Sequence, residues 1–439
     1  MRPRLISTAL FRRVVSGSAF VPELDGLRAV AILAVVAFHT SGYFLVKNLE
    51  RGAYAAPGQF LEQAIYWILT HGFLGVQLFF VISGLVISLP FVRQARGHGG
   101  ELRMRDYFVR RVTRIEPPYL LALCIYFVIA WRLSPATLNP TEYLAGALYA
   151  RHALFHEQNW MFYVSWSLEI EIQFYLLAPL FALVFRTPSA LLRRGLLIAA
   201  IVASGYYAAH FRMQSSEPPP LGGPLQHGWW LGTELAFFLV GMLVADLSVR
   251  EAGSRPVHAP PRRAAYAWDI GFLAGLAAAL CSYQVLQHSV AGIFLLLTGL
   301  FLVTLGTSRS CLVRATLSHP AAYTIGGACY TIYLFHPLLT PVVGRILLPA
   351  SGSSYVFDMI VIALPAALGI SLACLLLFPI VERPFMYRGW PSLVADAFRR
   401  RDIRAIGRLF NTCDSPRDTA RASHTSRHTE PFAGKTLRQ

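Results

Sequence analysis

The sequence predicts an all-α fold, a polytopic membrane helical bundle of about ten transmembrane helices with both termini in the cytoplasm. The first observation is composition: of 439 residues, 55% are hydrophobic and 14% are charged, and the mean hydropathy is +0.48. Soluble proteins carry about a quarter charged residues. The second is that apolar runs of spanning length recur and are continuous, whereas a β-barrel shows alternation. The third is that basic residues fall mainly between alternate runs.

Ten apolar runs are long enough to cross a bilayer. They are 24–46, 72–92, 117–132, 165–185, 195–211, 229–249, 268–287, 289–307, 323–346 and 357–381. The third and fifth runs are short, and the segment 60–70 is expected to form an interfacial helix. Of the 39 lysines and arginines, 32 lie beyond the ends of the runs on the N-terminal side and 6 lie at or beyond their opposite ends, with Arg28 left over. This asymmetry predicts cytoplasmic termini and an even number of spans.

The chain divides into four segments by composition. A basic N-terminus (1–23) precedes the transmembrane domain (24–390), and the segment 391–410 is either a basic interfacial helix on anionic lipid or a solvated basic tail. Residues 411–439 are rich in Ser, Thr, Arg and His and are expected to be disordered. The net charge of +16 does not indicate nucleic acid, because the basic residues follow the predicted topology. Membrane lipid is therefore the expected partner.

Two ionisable residues share one face of the first run. His39 follows Arg28 by eleven positions, which is almost three helical turns and a rise of ~16 Å. Arg28 is therefore expected near the cytoplasmic surface and His39 near the middle of the bilayer. Ionisable groups at that depth are costly unless protein or a wet cavity surrounds them, so they are functional candidates.

A pair of arginines opens the third run. Arg111 and Arg114 are three residues apart, so on a helix they project together. Paired guanidiniums suit the bidentate binding of phosphates. The alternative is that they only set the membrane topology.

Three further segments carry candidate groups. In the fourth run, Glu169 and Glu171 point about 200° apart and cannot serve one site, whereas Glu171 shares a face with Tyr175. The alternative for these residues is a structural buried network. In the ninth run, His336 follows Tyr333 and is either a second functional group or a packing histidine.

The second run contains the glycine-rich segment GFLGVQLFFVISG, in which Ser83 precedes the last glycine. Its small residues favour close helix packing. The six cysteines are scattered with no CxxC pair and no cysteine–histidine cluster, so no metal site is expected.

Six segments, in order, resemble the membrane-bound acyltransferase-3 family, which includes bacterial O-antigen, Nod-factor and macrolide O-acyltransferases. They are LDGLRAVAILAVVAFH from Leu24, GFLGVQLFFVISG from Gly72, RRVTRIEPPY from Arg110, SWSLEIEIQFYL from Ser165, YTIYLFHP from Tyr330 and VERPF from Val381. The resemblance covers about residues 23–390. It implies a multi-pass protein of the bacterial cytoplasmic (inner) membrane that transfers an acyl group, commonly acetyl from acetyl-CoA, to a hydroxyl.

The resemblance also implies roles for single residues. Arg28 and His39 match the family's arginine–ten residues–histidine motif, and Arg111 and Arg114 match its RxxR motif. We expect the three arginines to bind the phosphates of acyl-CoA, the donor substrate, and His39 to be the general base. A version in which His39 carries the acyl group covalently stays open.

The fourth-run segment matches the family's tryptophan–glutamate–tyrosine block through Trp166, Glu171 and Tyr175. Glu171 is the second expected catalytic residue; it or Tyr175 is expected to orient the histidine or bind acceptor hydroxyls. Ser83, Trp166, Tyr333 and His336 complete the set of substrate-contacting or supporting residues, Ser83 as a candidate oxyanion stabiliser. One departure is Gln77, where many relatives carry aspartate, so a carboxylate role there does not transfer.

The acceptor is expected to be a cell-surface or lipid-linked carbohydrate. The alternatives are a small lipophilic acceptor, such as a macrolide or glycolipid, or a different class of protein: a transporter that moves a lipid-linked sugar without chemistry. Intramembrane Arg, His and Glu suit a transporter equally well, but paired halves with interrupted helices, which many transporters show, are not evident in this sequence.

Overall fold

The computed structural model describes residues 20–54, 57–98, 102–155, 162–214, 230–249, 262–285, 289–352, 354–387 and 389–400, together with residues 11, 13, 14 and 100. Within these ranges the regular structure is helical and contains no strand. The predicted disordered segment 411–439 and the second half of the predicted interfacial helix 391–410 lie outside the described residues.

In chain order, the helices of the described residues are α1 (Pro22–Glu50), α2 (Phe60–Thr70), α3 (Leu74–Ala95), α4 (Met104–Leu133), α5 (Pro140–Ala147), α6 (Arg151–Leu154), α7 (Ser165–Phe181), α8 (Ala190–Gln214), α9 (Leu231–Ser248), α10 (Arg262–Val285), α11 (Val290–Arg309), α12 (Leu312–Leu317), α13 (Pro320–Gly327), α14 (Cys329–Leu347), α15 (Tyr355–Phe357), α16 (Leu364–Val381) and α17 (Trp390–Arg400). A π-helical segment, Asp358–Ala363, joins α15 to α16.

Ten spans in the described part of the chain are long and apolar enough to cross a membrane. They are α1, α2 with α3, α4, α7, α8, α9, α10, α11, α14, and α15 with α16, so all ten predicted spans are confirmed. Two expectations about length are wrong: α4 begins at Met104 and α8 at Ala190, so neither is short. Arginine favours helix almost as well as leucine, and both helices extend through the basic segments that hydropathy excluded.

Close backbone contacts, made possible by glycines, join α3 to α1 and α9. A Cβ placed on Gly72 or Gly75 would lie 2.3 Å from a carbonyl oxygen of α1, and one on Gly84 would lie 2.1 Å from the Phe238 carbonyl oxygen of α9. Gly241 of α9 meets α3 in the same way, 2.1 Å from the Val81 carbonyl oxygen. The expected role of these glycines in close helix packing is therefore confirmed.

Long side chains, in contrast, connect α4 to its neighbours. Tyrosine hydroxyls donate to backbone carbonyls on another helix, as follows: Tyr107 to Tyr175 of α7 (3.0 Å), Tyr119 to Gly146 of α5 (2.8 Å), Tyr126 to Leu334 of α14 (3.1 Å), and Tyr330 of α14 to Ile115 of α4 (3.0 Å). Four hydroxyl–carbonyl bonds thus help to hold the helix that carries Arg111 and Arg114.

One buried carboxylate pairs with three arginines that the count of basic residues assigned to the same side of the membrane. Asp246 at the end of α9 pairs with Arg96 (2.5 Å), Arg193 (2.6 Å) and Arg194 (2.9 Å). Arg96 also donates to the carbonyl of Val249. These arginines therefore hold the ends of α3, α8 and α9 together.

Candidate active site

The residue at the centre of the site is paired with a second histidine. His39 of α1 and His336 of α14 are stacked, with ring centroids 5.1 Å apart at an interplanar angle of 20°. The Nδ1 atom of His39 lies 2.9 Å from Nε2 of His336. His336 is fully buried, whereas His39 keeps partial exposure. His336 is therefore in direct contact with His39, the candidate base.

The surroundings of His336 assign the protons of the pair. Nδ1 of His336 lies 3.0 Å from the carbonyl oxygen of Ile332, which only accepts, so Nδ1 carries the hydrogen. In a neutral ring Nε2 is then an acceptor, and His39 donates to it through Nδ1–H. The remaining nitrogen of His39, Nε2, has an unprotonated lone pair and no hydrogen-bond partner among the described residues. This tautomer is inferred from the hydrogen-bond network.

Aromatic side chains enclose the histidine pair. The ring of Tyr163 meets His39 edge to face at 4.9 Å, and the ring of Tyr333 lies 5.9 Å from His336. The hydroxyl of Tyr333 donates to the Val164 carbonyl at 3.0 Å and is 2.6 Å from the Ser167 hydroxyl. Tyr333 therefore supports the wall of the site beside His336 and is itself fixed by α7 and the turn before it.

A second polar group forms where α3 meets α7. The hydroxyls of Ser83 (2.7 Å) and Tyr175 both donate to Oε1 of Glu171. The other carboxylate oxygen, Oε2, makes no hydrogen bond within the described part of the chain. Because the Ser83 proton is directed at Glu171, the geometry assigns this serine to positioning the carboxylate rather than to an oxyanion.

Glu171 and His39 are not hydrogen-bonded to each other in the described structure, since His39 is engaged by His336. Glu171 does interact electrostatically with Tyr333, whose ring lies beside His336. Glu169 takes no part in the hydrogen bonds around Glu171 and interacts electrostatically with Tyr119 of α4, consistent with the 200° separation. Trp166 is buried and packs edge-on at 6.1 Å against Phe80, so the structure places it in the apolar core beside the site.

The predicted arginines converge near Tyr175. The guanidinium of Arg111 lies 4.2 Å from the ring centroid of Tyr107 and 5.3 Å from that of Tyr175. Arg28 and Arg114 both interact electrostatically with Tyr175. The side chains from α1 and α4 are thus brought to one place, as the phosphate-binding hypothesis requires.

A fourth arginine, which the sequence analysis did not predict, lies beside Arg28. Arg13 Nη1 lies 2.6 Å from Oδ1 of Asp25, the same oxygen that Arg28 Nη1 contacts at 2.5 Å. We refer to Arg13, Arg28, Arg111 and Arg114 as the arginine cluster. Nothing in residue spacing places Arg13 in this cluster, because it precedes the first span in a segment whose only signal was its basic composition.

The cluster carries more positive than negative charge. Its nearest described carboxylates are Asp25 and Glu382, the latter 3.8 Å from Arg114. Glu382 is buried and accepts hydrogen bonds from the amide (3.1 Å) and hydroxyl (2.8 Å) of Thr331. Burial raises the pKa of Glu382 above its ordinary value, against the opposing effects of Arg114 and Thr331, which weakens its power to neutralise the cluster.

Two guanidinium N–H groups in the cluster, the Nε atoms of Arg13 and Arg111, are buried without a hydrogen-bond partner among the described residues. Each arginine has five N–H groups, and Asp25 Oδ1 accepts one bond each from Arg13 and Arg28. Guanidinium groups arranged in this way suit an anion with several oxygens. Among the described residues there is no group of three His, Cys, Asp or Glu side chains that could hold a metal ion.

Comparison with known proteins identifies this architecture. A family model described as "Acyltransferase domain" matches residues 21–379. The chain belongs to this acyltransferase family. The match includes His39, His336, Glu171 and three members of the arginine cluster, whereas Arg13 and Glu382 lie outside it.

The curated relatives that this acyltransferase-family chain resembles include O-acetyltransferases. The peptidoglycan O-acetyltransferase OatA of Listeria monocytogenes is 26% identical over 360 residues, which is 73% of this chain and 50% of the relative. The putative peptidoglycan O-acetyltransferase YrhL of Bacillus subtilis (26%, 72% of this chain, 48% of the relative) and the O-acetyltransferase OatA of Staphylococcus aureus (25%, 72% and 50%) are similar. The chain spans about half the length of the curated relatives it matches. No solved structure matches it.

Proposed function

We propose that this chain is an integral membrane O-acetyltransferase that moves an acetyl group from cytoplasmic acetyl-CoA to a hydroxyl of a cell-surface or lipid-linked carbohydrate. The observation that carries the proposal is the His39–His336 pair, which leaves a lone pair on His39 Nε2. His39 lies on the same helix as Arg28, eleven residues away.

The arginine cluster supports a CoA thioester as the donor. Its guanidinium N–H groups suit the phosphates of CoA, to which charge-assisted hydrogen bonds are strong. The rise of ~16 Å from Arg28 to His39 along α1 is comparable to the length of a pantetheine arm. A donor held by its phosphates in the cluster would therefore present its carbonyl near the histidine pair.

Direct transfer uses His39 as the general base. Nε2 takes the proton of the acceptor hydroxyl as its oxygen attacks the thioester carbonyl. The tetrahedral intermediate then collapses with cleavage of the C–S bond, and His39 returns the proton to the departing CoA thiolate. His336 keeps the imidazole in the required tautomer by accepting from Nδ1–H. The Oε2 atom of Glu171, which accepts no hydrogen bond from the described residues, would bind a further acceptor hydroxyl, and Tyr333 would support the wall beside His336.

A covalent route uses the same lone pair as a nucleophile. Nε2 would attack the thioester and the C–S bond would break, leaving an acyl-imidazolium and the CoA thiolate. The acceptor oxygen would then take the acyl group as the bond to Nε2 breaks, and the proton of the acceptor hydroxyl would end on the CoA thiolate. Incubating the purified chain with labelled acetyl-CoA alone separates the two routes. Label that is retained by the chain and lost in His39→Ala supports the covalent route, whereas no label under rapid quench supports direct transfer.

The names of the curated relatives favour a cell-wall glycan as the acceptor. A macrolide or glycolipid is the alternative acceptor class. Mass spectra of surface glycans from unaltered and deletion cells test this point. Loss of an acetyl increment identifies both donor and acceptor, and unchanged glycans would direct the search to small lipophilic acceptors.

The decisive experiment is acceptor-dependent release of free CoA in membranes. We expect release from the unaltered chain and its loss in His39→Ala. The matched control is His98→Ala, which removes an exposed histidine away from the site. Equal CoA release from the unaltered chain and His39→Ala would contradict the mechanism, and movement of a lipid-linked sugar without CoA release would support the transporter alternative.

A further inference from the structure

The segment before α1 contributes a guanidinium to the arginine cluster. Arg13 and Arg28 share one oxygen of Asp25, at 2.6 and 2.5 Å. The Cβ atom of Arg13 lies 3.3 Å from the position that a Cβ on Gly327 would take, and Val14 packs against the apolar group around Phe378. The described part of this segment is therefore packed onto the helix bundle, with Arg13 directed into the cluster.

This placement is electrostatically unfavourable without a further anion. Arg28 and Arg114 both act on Arg13 as like charges, while Asp25 offers one shared oxygen. Buried like charges at short range cost free energy that only a close counter-charge offsets. In addition, Arg13 Nε is buried and has no hydrogen-bond partner among the described residues. Within the described part of the chain, the arrangement thus has both an excess of positive charge and a buried donor without an acceptor.

We propose that Arg13 is a donor-binding residue, whose guanidinium binds a phosphate of the acyl-CoA donor together with Arg28 and Arg114. This inference rests on the proposed function and deepens it, because it makes the segment before α1 part of the donor site. The family match begins at residue 21, so Arg13 is a feature of this chain beyond the matched region. Arginine suits the task because its planar fork binds phosphate oxygens bidentately.

CoA binding to the full chain in nanodiscs, measured by calorimetry, tests the proposal. We expect Arg13→Gln to weaken CoA binding about tenfold or more, since it removes a hydrogen-bonded charge. Arg13→Lys keeps the charge without the planar fork. Its affinity for CoA should therefore lie between the affinities of the unaltered chain and of Arg13→Gln. The matched control is Arg105→Gln, an exposed arginine at the start of α4 that should leave CoA affinity unchanged.

The melting temperature without CoA separates binding from a purely structural contact. Because Arg13 faces like charges, Arg13→Gln should leave the unliganded melting temperature unchanged or raise it. Binding is measured well below the lowest melting temperature, so that every variant is folded. Unaltered CoA affinity in Arg13→Gln would overturn the role of Arg13 alone. Absence of CoA binding by the unaltered chain would overturn the proposed donor, and with it this inference.

Discussion

The hydroxyl of Ser83 on α3 lies 2.7 Å from Oε1 of Glu171 on α7 and donates to it, beside the hydroxyl of Tyr175. The serine immediately precedes Gly84, the last glycine of the segment that packs α3 closely on α1 and α9. One of the two donors to the carboxylate therefore comes from a closely packed helix, and the orientation of the carboxylate depends on hydroxyls from two different elements.

A double-mutant cycle on these hydroxyls should show strong coupling. Ser83→Ala alone should lower the free energy of unfolding by about 0.5–1.5 kcal/mol, because Glu171 keeps its bond from Tyr175. Tyr175→Phe removes the other hydroxyl but leaves the ring on which Arg111 stacks. The double variant deprives the carboxylate of both donors and should cost more than the sum of the two. Strict additivity in thermal denaturation would show that the two bonds act independently.

Replacement of His336 should impair catalysis through His39. In His336→Ala, Nδ1 of His39 loses its acceptor and the tautomer with a free Nε2 is no longer favoured. We expect a drop in kcat of about tenfold or more, on the scale of one lost hydrogen bond, with little change in the KM for acetyl-CoA. His39→Ala should cost about 10²–10⁴-fold. Equal rates in His336→Ala and the unaltered chain would show that the second histidine only packs.

Adding a methyl group between α3 and α9 should destabilise the bundle. In Gly84→Ala the new Cβ would lie 2.1 Å from a backbone carbonyl, which cannot move aside as a side-chain end can. We expect a loss of about 1–3 kcal/mol, seen as a lower melting temperature. Gly369→Ala is the control, since nothing lies within 4 Å of its Cβ and alanine favours helix. A similar melting temperature for both variants would count against the backbone contact.

Glu382 should make stability depend on pH. Its pKa is higher in the folded chain than the ordinary 4.5, so the folded state binds the proton more tightly and loses this stabilisation as pH rises. Glu382→Gln mimics the protonated form at every pH. The melting temperature of Glu382→Gln minus that of the unaltered chain should therefore increase from about pH 5 to pH 8. A difference that decreases over this interval would indicate that the ion pair with Arg114 dominates.

The membrane-spanning helices could be predicted from the sequence, but the contacts between them could not. Apolar runs mark the ten spans because span length is a property of local composition. Arg111 and Arg114 are three residues apart on one helix, so their common direction also followed from the local sequence. The extent of α4 was underestimated, since hydropathy measures lipid exposure and not helix continuity.

Pairings between distant segments followed no local signal. His39 and His336 are 297 positions apart, and their 2.9 Å contact depends on how α1 packs against α14. Arg13 reaches Asp25 because Arg13 and Val14 pack on the helix bundle, whereas composition describes residues 1–23 only as basic. The motif resemblance predicted His39 and His336 as site residues. The position of the proton on His39, in contrast, follows from the hydrogen bond between His336 and the carbonyl of Ile332.

The backbones of α1, α3 and α9 are in direct contact at their glycines, whereas α4 meets its neighbours through longer side chains. We expect the first three helices to form a stiff part of the bundle and α4 a more compliant one, because closely packed backbones cannot separate without opening voids. His39 and Ser83 lie in the stiff part, and Arg111 and Arg114 ride on the compliant helix. We therefore expect the donor to enter by displacing the arginines while the base stays fixed, and CoA to slow amide exchange in α4 more than in α3.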